Sequence, residues 1–291
     1  MRVIYFDPAL TRRQGALKWF TYGKLMDTTT RPRVSVVKYL NTVPLIWGML
    51  KGDQQGKYNL DFTTPAKCAD DLRRRAAAVG IIPSIEYQRI DGLRILPGCS
   101  IASKRIVKSV LLLSKVPIEQ INIVALDNSS RTSAALVRIL LKKFYSRAVA
   151  AAPADPDPGK MLQHADAALL IGDPALTFDA NGLRVYDLAA EWRKVTGLPF
   201  VFAVWAGHAD MDLGRLCADF EASKDYGLGH LDDIAREYAP RLGLSQEAVK
   251  VYLKENIDYS LDEENRKGLE LFYRLAHEIG VTSGAKEIAF A

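Results

Sequence analysis

Four hydroxyl side chains and one arginine occupy five consecutive positions, Ser129-Ser130-Arg131-Thr132-Ser133. They follow an apolar run, Ile121 to Leu126, and an Asp127-Asn128 pair. That order reads as a strand, a turn and the start of a helix. The first N–H groups of a helix have no intrahelical partner and bind anions. The helix dipole adds only ~0.3–1 kcal/mol, so a ligand of any affinity needs the side-chain donors as well. An ordinary helix start requires a single capping hydroxyl. The stretch Asp127 to Ser133 is therefore read as an anion grip suited to a small carboxylate.

Three further segments place polar groups where a strand gives way to a helix. In Tyr39-Leu40-Asn41-Thr42-Val43-Pro44, Asn41 offers both a donor and an acceptor; it serves a ligand or caps the helix. In Gly80-Ile81-Ile82-Pro83-Ser84-Ile85-Glu86-Tyr87, Ser84 follows a strand end. Glu86 is a base or, the favoured reading, a solvated carboxylate at a helix start. In Leu170-Ile171-Gly172-Asp173-Pro174, Gly172 permits close backbone approach. Asp173 either touches the ligand or caps the next helix. The four histidines, His164, His208, His230 and His277, show no ligand spacing, and His208 is expected at the surface. No Walker loop and no GxGxxG fingerprint occurs.

The elements that must position these groups follow from periodicity. Arg33 to Val37, Tyr58 to Thr63 and Val79 to Pro83 read as strands separated by helices. One helix opens at Thr42 with Pro44 in its first turn; the other is capped by Thr64-Pro65 and ends at Arg73-Arg74-Arg75, cations that suit a solvated helix C-terminus. This β-α-β-α-β pattern predicts a parallel sheet. The pattern restarts with strands at Ser109 to Ser114, Ile121 to Leu126, Ala167 to Ile171, Leu183 to Tyr186 and Phe200 to Trp205. Helices are expected over Ser130 to Tyr145, near Met161 and over Ala189 to Val195, with Pro153 to Gly159 as a loop. After His208 only helical patterns remain, at 209–227, 229–240, 245–256 and 262–280. The expected layout is a lobe of residues 31–110 joined by a returning tail, 208–291, and a second lobe of residues 111–207. The cleft between them is the default site.

Bulk properties exclude other classes. The chain has 291 residues, 48% hydrophobic and 25% charged, as in globular proteins. Its net charge of +5 resides in residues 1–33, where seven arginines and lysines face two aspartates. The remainder is formally neutral, which argues against a nucleic-acid partner. No uninterrupted apolar run approaches the ~18 residues of a membrane span. Residues 1–30 are expected to be a poorly ordered N-terminal extension without the apolar core of a secretory signal, with Met26 as an alternative start. Cys68, Cys99 and Cys217 are too far apart for a disulfide framework or zinc pattern. Reduced thiols point to the cytoplasm.

Taken together, Tyr39 to Leu45, Gly80 to Tyr87, Ala125 to Ser133, Ala168 to Leu176 and Glu191 to Trp205 resemble, in this order, the MqnA family. These are the chorismate dehydratases of the futalosine route to menaquinone. The resemblance spans about residues 31–280 and departs at position 78, where Ala78 replaces the usual acidic residue. It implies a two-lobed α/β fold similar to the type II periplasmic binding proteins, with a C-terminal helical tail. It also implies an enzyme that converts chorismate to 3-[(1-carboxyvinyl)oxy]benzoate and water, using neither a metal nor an organic cofactor. Asn41 and Ser109 carry over as the catalytic polar residues. The turn Ser129, Ser130, Arg131, Thr132 and Ser133 would hold a carboxylate and Ser84 keeps its place, while Asp173 is taken from its position alone as a further substrate contact. No histidine or lysine base stands in the matching segments. A carboxylate of the substrate itself, held by Asn41 and Ser109, is the expected proton acceptor, with Glu86 or Asp173 as rivals. A solute-binding or ligand-sensing protein for a small carboxylate, and the related dihydroxynaphthoate synthase, remain alternatives on this fold.

Overall fold

A computed structural model describes residues 31–291; the expected extension over residues 1–30 lies outside the described residues. β1 (Arg33–Val37), α1 (Val43–Lys51), β2 (Asn59–Thr63), α2 (Pro65–Arg73), β3 (Val79–Pro83), α3 (Ser84–Arg89) and β4 (Leu93–Ser103) open the chain. Next come β5 (Val110–Ser114), β6 (Ile123–Asp127), α4 (Arg131–Ile139), β7 (Ala150–Ala154) and α5 (Pro158–His164). β8 (Ala167–Ile171), α6 (Asp173–Thr177), β9 (Arg184–Asp187) and α7 (Leu188–Thr196) complete that stretch. β10 (Phe200–His208) precedes the tail helices α8 (Gly214–Gly229), α9 (Leu231–Leu242), α10 (Gln246–Val251) and α11 (Glu263–Glu278). No helix among the described residues is long and apolar enough to cross a membrane.

The strands form two five-stranded sheets, ordered β2-β1-β3-β10-β4 and β7-β6-β8-β5-β9. Both are mixed rather than wholly parallel as predicted. β1 runs parallel to β2 and β3, but β10 is antiparallel to β3 and β4. In the second sheet β5 is antiparallel to β8 and β9.

The expected lobe boundary at residue 207 is displaced. β10 belongs to the first sheet, so the chain leaves the second sheet at residues 197–199. The physical reason is burial. Phe200, Val201, Val204, Trp205 and Ala206 are all essentially inaccessible, and only a strand flanked on both sides and covered on both faces hides such a run. Two strands escaped prediction. In β4, Pro97 and Gly98 interrupt the alternation, and the register with β10 shifts across this stretch, as at a β-bulge. β7 reads Ala-Ala-Ala-Pro-Ala, poor strand chemistry tolerated at a sheet edge.

The tail packs α8 against α1 and β4, and α11 against β10 and α3. It also covers the free edge of β4. Ala102 exchanges two backbone hydrogen bonds with Asp258, of 2.8 and 2.9 Å, and the Ile95 N–H donates to Ala289 O at 2.9 Å. An exposed edge would otherwise invite pairing with another chain. His208 is buried rather than superficial, with Nε2 2.8 Å from Leu72 O.

Two crossings join the sheets, and each is pinned. At the first, Lys108 adopts φ 61°, and the Asp187 carboxylate accepts the N–H groups of Val107 and Lys108 at 3.0 and 2.7 Å. The same carboxylate caps α7 through Ala189 and Ala190, at 3.0 and 3.1 Å. At the second, Trp192 donates to Pro199 O at 3.0 Å and meets Phe200 edge-on, with ring centres 5.3 Å apart. Phe272 of α11 completes this cluster, 4.9 Å from Phe200. Replacing Asp187→Ala removes a helix cap and the ties of the first crossing together. We expect a loss of ~2–4 kcal/mol, read as a lowered urea midpoint with an unchanged slope.

Candidate active site

The turns after β1, β3, β6 and β8 all open into one cleft between the sheets, at the carboxyl ends of their parallel strands. Tyr39, Asn41 and Thr42 line it from the first sheet, and Ser130, Arg131, Thr132, Ser133 and Gly172 from the second. Ser109, at the first crossing, forms part of its wall. The enclosed space is about 60 Å³, room for a few waters. A ring-sized ligand needs more, so admitting one requires the lobes to part.

Several contacts hold the lobes together. The Leu40 N–H donates to Asp173 Oδ1 at 2.8 Å, the Ile85 N–H to Thr132 Oγ1 at 3.2 Å, and the Ala66 N–H to Ser129 O at 3.2 Å. Arg131, the first residue of α4, donates to Asp70 at 3.0 and 3.1 Å and to Glu86 at 3.0 Å. Glu86 is only 1% exposed and accepts from Arg73 at 2.5 Å and Arg89 at 2.9 Å as well.

These contacts divide the predicted residues. Asn41 lines the cleft and caps no helix; the first turn of α1 has no side-chain cap. Its side-chain oxygen accepts a long hydrogen bond from the neighbouring Thr42 Oγ1, 3.4 Å, and its amide stands beside the Tyr252 phenol. Ser130 and Ser133 line the cleft with hydroxyls that find no partner among the described residues. The unpaired N–H groups at the start of α4 lie beside them. Within the grip, however, Ser129 turns inward. Its N–H and hydroxyl both donate to Asp127 Oδ1, at 2.8 and 2.7 Å. Burial pushes the Asp127 carboxyl above its usual range, against those two bonds.

Ser84 is fully buried, donates to Val201 O at 2.8 Å and stays behind the cleft wall. Asp173 is turned to the Leu40 N–H, and Arg131 and Thr132 are engaged across the lobes. The two rival bases are held differently. Both oxygens of Glu86 are committed to arginines, so it is neither a base nor a solvated carboxylate. Asp173 is raised by burial, against the bond from Leu40, but its placement is that of a lobe-to-lobe tie.

Ser109 is inaccessible to solvent, and its Oγ accepts from the Tyr252 hydroxyl at 2.7 Å. Ser109 also lines the cleft, so this bond reaches the cleft wall. Burial raises the Tyr252 phenol well above its ordinary range, against its hydrogen-bond contacts with Ser109 and Asn41. Tyr252 stays a phenol that donates at neutral pH. Sequence reasoning missed it, because it lies in the tail and no local motif marks it. Tyr39 was likewise unassigned. Its ring packs on Gly172, where an added Cβ would come within 2.7 Å of three ring carbons.

A family model described as menaquinone biosynthesis matches residues 32–278. A chorismate dehydratase of Thermus thermophilus is 31% identical, over 83% of this chain and 94% of that protein. One from Campylobacter jejuni is 27% identical, over 82% and 94%. Among solved structures, protein AF1704 of Archaeoglobus fulgidus superposes with a TM-score of 0.69 at 20% identity, covering 86% of this chain and 98% of that one. The periplasmic aliphatic sulphonate binding protein SsuA of Escherichia coli gives 0.60 at 14%, covering 88% and 90%. The fold is thus the two-lobed α/β fold of periplasmic binding proteins.

Gly172 offers a test of how tightly the cleft is built. It has φ 69°, and Gly197 has φ 73° but open space around it. A side chain at either position costs ~1–2 kcal/mol for the left-handed backbone. Gly172→Ala also displaces Tyr39, so its loss in chemical denaturation should exceed that of Gly197→Ala. Equal losses would show that Tyr39 yields freely.

Proposed function

The chain belongs to the menaquinone biosynthesis family, and we propose that it is a chorismate dehydratase, a hydro-lyase that converts chorismate to 3-[(1-carboxyvinyl)oxy]benzoate and water. The observation that carries this reading is the Tyr252–Ser109 hydrogen bond beside Asn41, on a cleft whose opposite wall is an anion-receptive helix start. Fold alone does not separate an enzyme from a solute-binding protein. A binder needs only donors for its ligand. Here a buried phenol supports a hydroxyl that faces the ligand space, an arrangement suited to a reacting group. The two relatives named as chorismate dehydratases support the substrate. Three free cysteines, two of them buried, fit a reducing compartment, and we place the protein in the cytoplasm.

Chorismate carries two carboxylates on a small scaffold. Ser130, Ser133 and the free N–H groups of α4 anchor one of them. Asn41 and Ser109 then face the ring. The reaction breaks the C–H bond at the ether-bearing carbon and the C–O bond of the neighbouring hydroxyl. The proton passes to the substrate's own second carboxylate and from there to the departing hydroxide, so that one water leaves and the ring becomes aromatic. With Glu86 bound by arginines and Asp173 tied to Leu40, the enzyme acts by orientation and by donors placed at the departing oxygen. Tyr252 is a positioning residue that fixes the direction of the Ser109 hydroxyl.

Turnover of chorismate, followed by chromatography of the benzoate product, tests the assignment. Asn41→Ala and Ser109→Ala should each lower kcat by ~10²-fold or more. Tyr252→Phe should lower kcat roughly tenfold with little change in KM, the mark of a lost orienting bond. Asp173→Asn should stay within a few-fold of the parent, because its amide oxygen still accepts the Leu40 N–H. Loss of turnover in a folded Asp173→Asn enzyme, with Asn41→Ala still active, would restore the protein-base mechanism. Tight chorismate binding without product would instead favour the solute-binding reading.

A further inference from the structure

A second cavity, of about 600 Å³, lies on the other side of α4, lined by Arg89, Arg131, Arg138, Lys142 and Arg147 with no carboxylate among its lining residues. Arg89 and Arg131 are paired with Glu86. Arg138, Lys142 and Arg147 have no acidic partner among the described residues. Arg138 and Lys142 stand four residues apart on one helical path, where like charges repel. Arg147 is steadied by neutral oxygens alone, Ile121 O at 3.3 Å and Asn122 Oδ1 at 2.5 Å. The turn before it holds Ser146 at φ 51°, a left-handed conformation that favours glycine. Steadying a guanidinium while leaving its charge uncompensated, at the end of a strained turn, is the arrangement of an anion site.

We infer that this cavity is a second ligand site that takes a small organic phosphate or diphosphate and thereby ties the two lobes together. Three uncompensated cations match two or three negative charges, and the guanidinium forks suit phosphate oxygens. Ala134, Ala135, Val149 and Val281 supply an apolar wall for the organic part. The site is a concave cavity rather than an extended basic stripe, which favours a small molecule over a nucleic acid. Arg89 and Val281 come from the first lobe and its tail, and Arg138, Lys142 and Arg147 from the second. A bound anion would therefore bridge the lobes. Arg131 borders both cavities, so the effect reaches the substrate cleft.

The probe is inorganic pyrophosphate, titrated calorimetrically into the full chain at fixed ionic strength, with succinate as a non-phosphate dianion. One saturable site is expected, with affinity reduced about tenfold or more in the R138A/K142A/R147A variant. These side chains lie outside the substrate cleft, so the variant should fold and turn over chorismate as the parent does. Absence of saturable binding, or equal binding by the variant, would overturn the site. Equal affinity for succinate would overturn the phosphate assignment, as would a short RNA that binds where pyrophosphate does not. Pyrophosphate should also lower the KM for chorismate in the parent and leave the variant's unchanged; an unchanged KM in the parent would refute the bridging. Calorimetry stands without any assumption about the reaction, so its failure is distinct from failure of the chorismate assay.

Discussion

Glu86 is the point on which the geometry of the cleft rests. A carboxylate with almost no solvent contact cannot remain charged without partners, and its partners come from three elements. Arg73 ends α2, Arg89 ends α3 and Arg131 begins α4. The first two belong to the same lobe as Glu86, and the third belongs to the other. Breaking such a buried pair from one side costs ~3–5 kcal/mol, because the remaining charge is stranded. Closure of the lobes and alignment of the grip helix are therefore one event. When Arg131 reaches Glu86 and Asp70, the start of α4 faces Asn41.

That alignment explains the division of labour among residues that looked equivalent in the chain. Five consecutive side chains, Ser129 to Ser133, stand at one helix start, but the helix turns them in different directions. Ser129 faces back to Asp127, Arg131 and Thr132 reach across to the first lobe, and Ser130 and Ser133 line the cleft. A dense polar cluster can serve both as anchor and as latch without either function occupying the same atoms. The carboxylates near the site follow the same logic. Glu86 is held through both oxygens, and Asp127 and Asp173 each accept protein donors through one.

What the sequence made legible was local. Strand, turn and helix start at Asp127 to Ser133 are specified by neighbouring residues, as is the turn carrying Asn41, and both fall where expected. Features that depend on distant partners were not legible. Glu86 looked solvated because its arginines lie 13 residues before it, 3 after and 45 after. Ser84 looked like a ligand contact because nothing local reveals that its proton goes to Val201 O. The run Phe200 to Trp205 declared its burial but not its sheet, since apolar patterning carries no address. β4 was hidden by its own bulge at Pro97-Gly98.

Tyr252 shows why the helical tail belongs to the chemistry as well as to the fold. It is 143 residues from Ser109 in the chain, and the bond between them forms only when the tail is docked. The same segment reaches the first crossing a second time, through Asn256 Nδ2 donating to Ile106 O at 3.0 Å. The tail thus holds the crossing at two points, at Ser109 and three residues before it. In a protein that only binds and releases, a crossing strand need only bend. Here it must bend to admit substrate and then return Ser109 to one orientation beside Asn41. A buried phenol, raised by desolvation and so kept protonated, is well suited to that. It donates to Ser109 at any physiological pH and so restricts how the serine hydroxyl can turn.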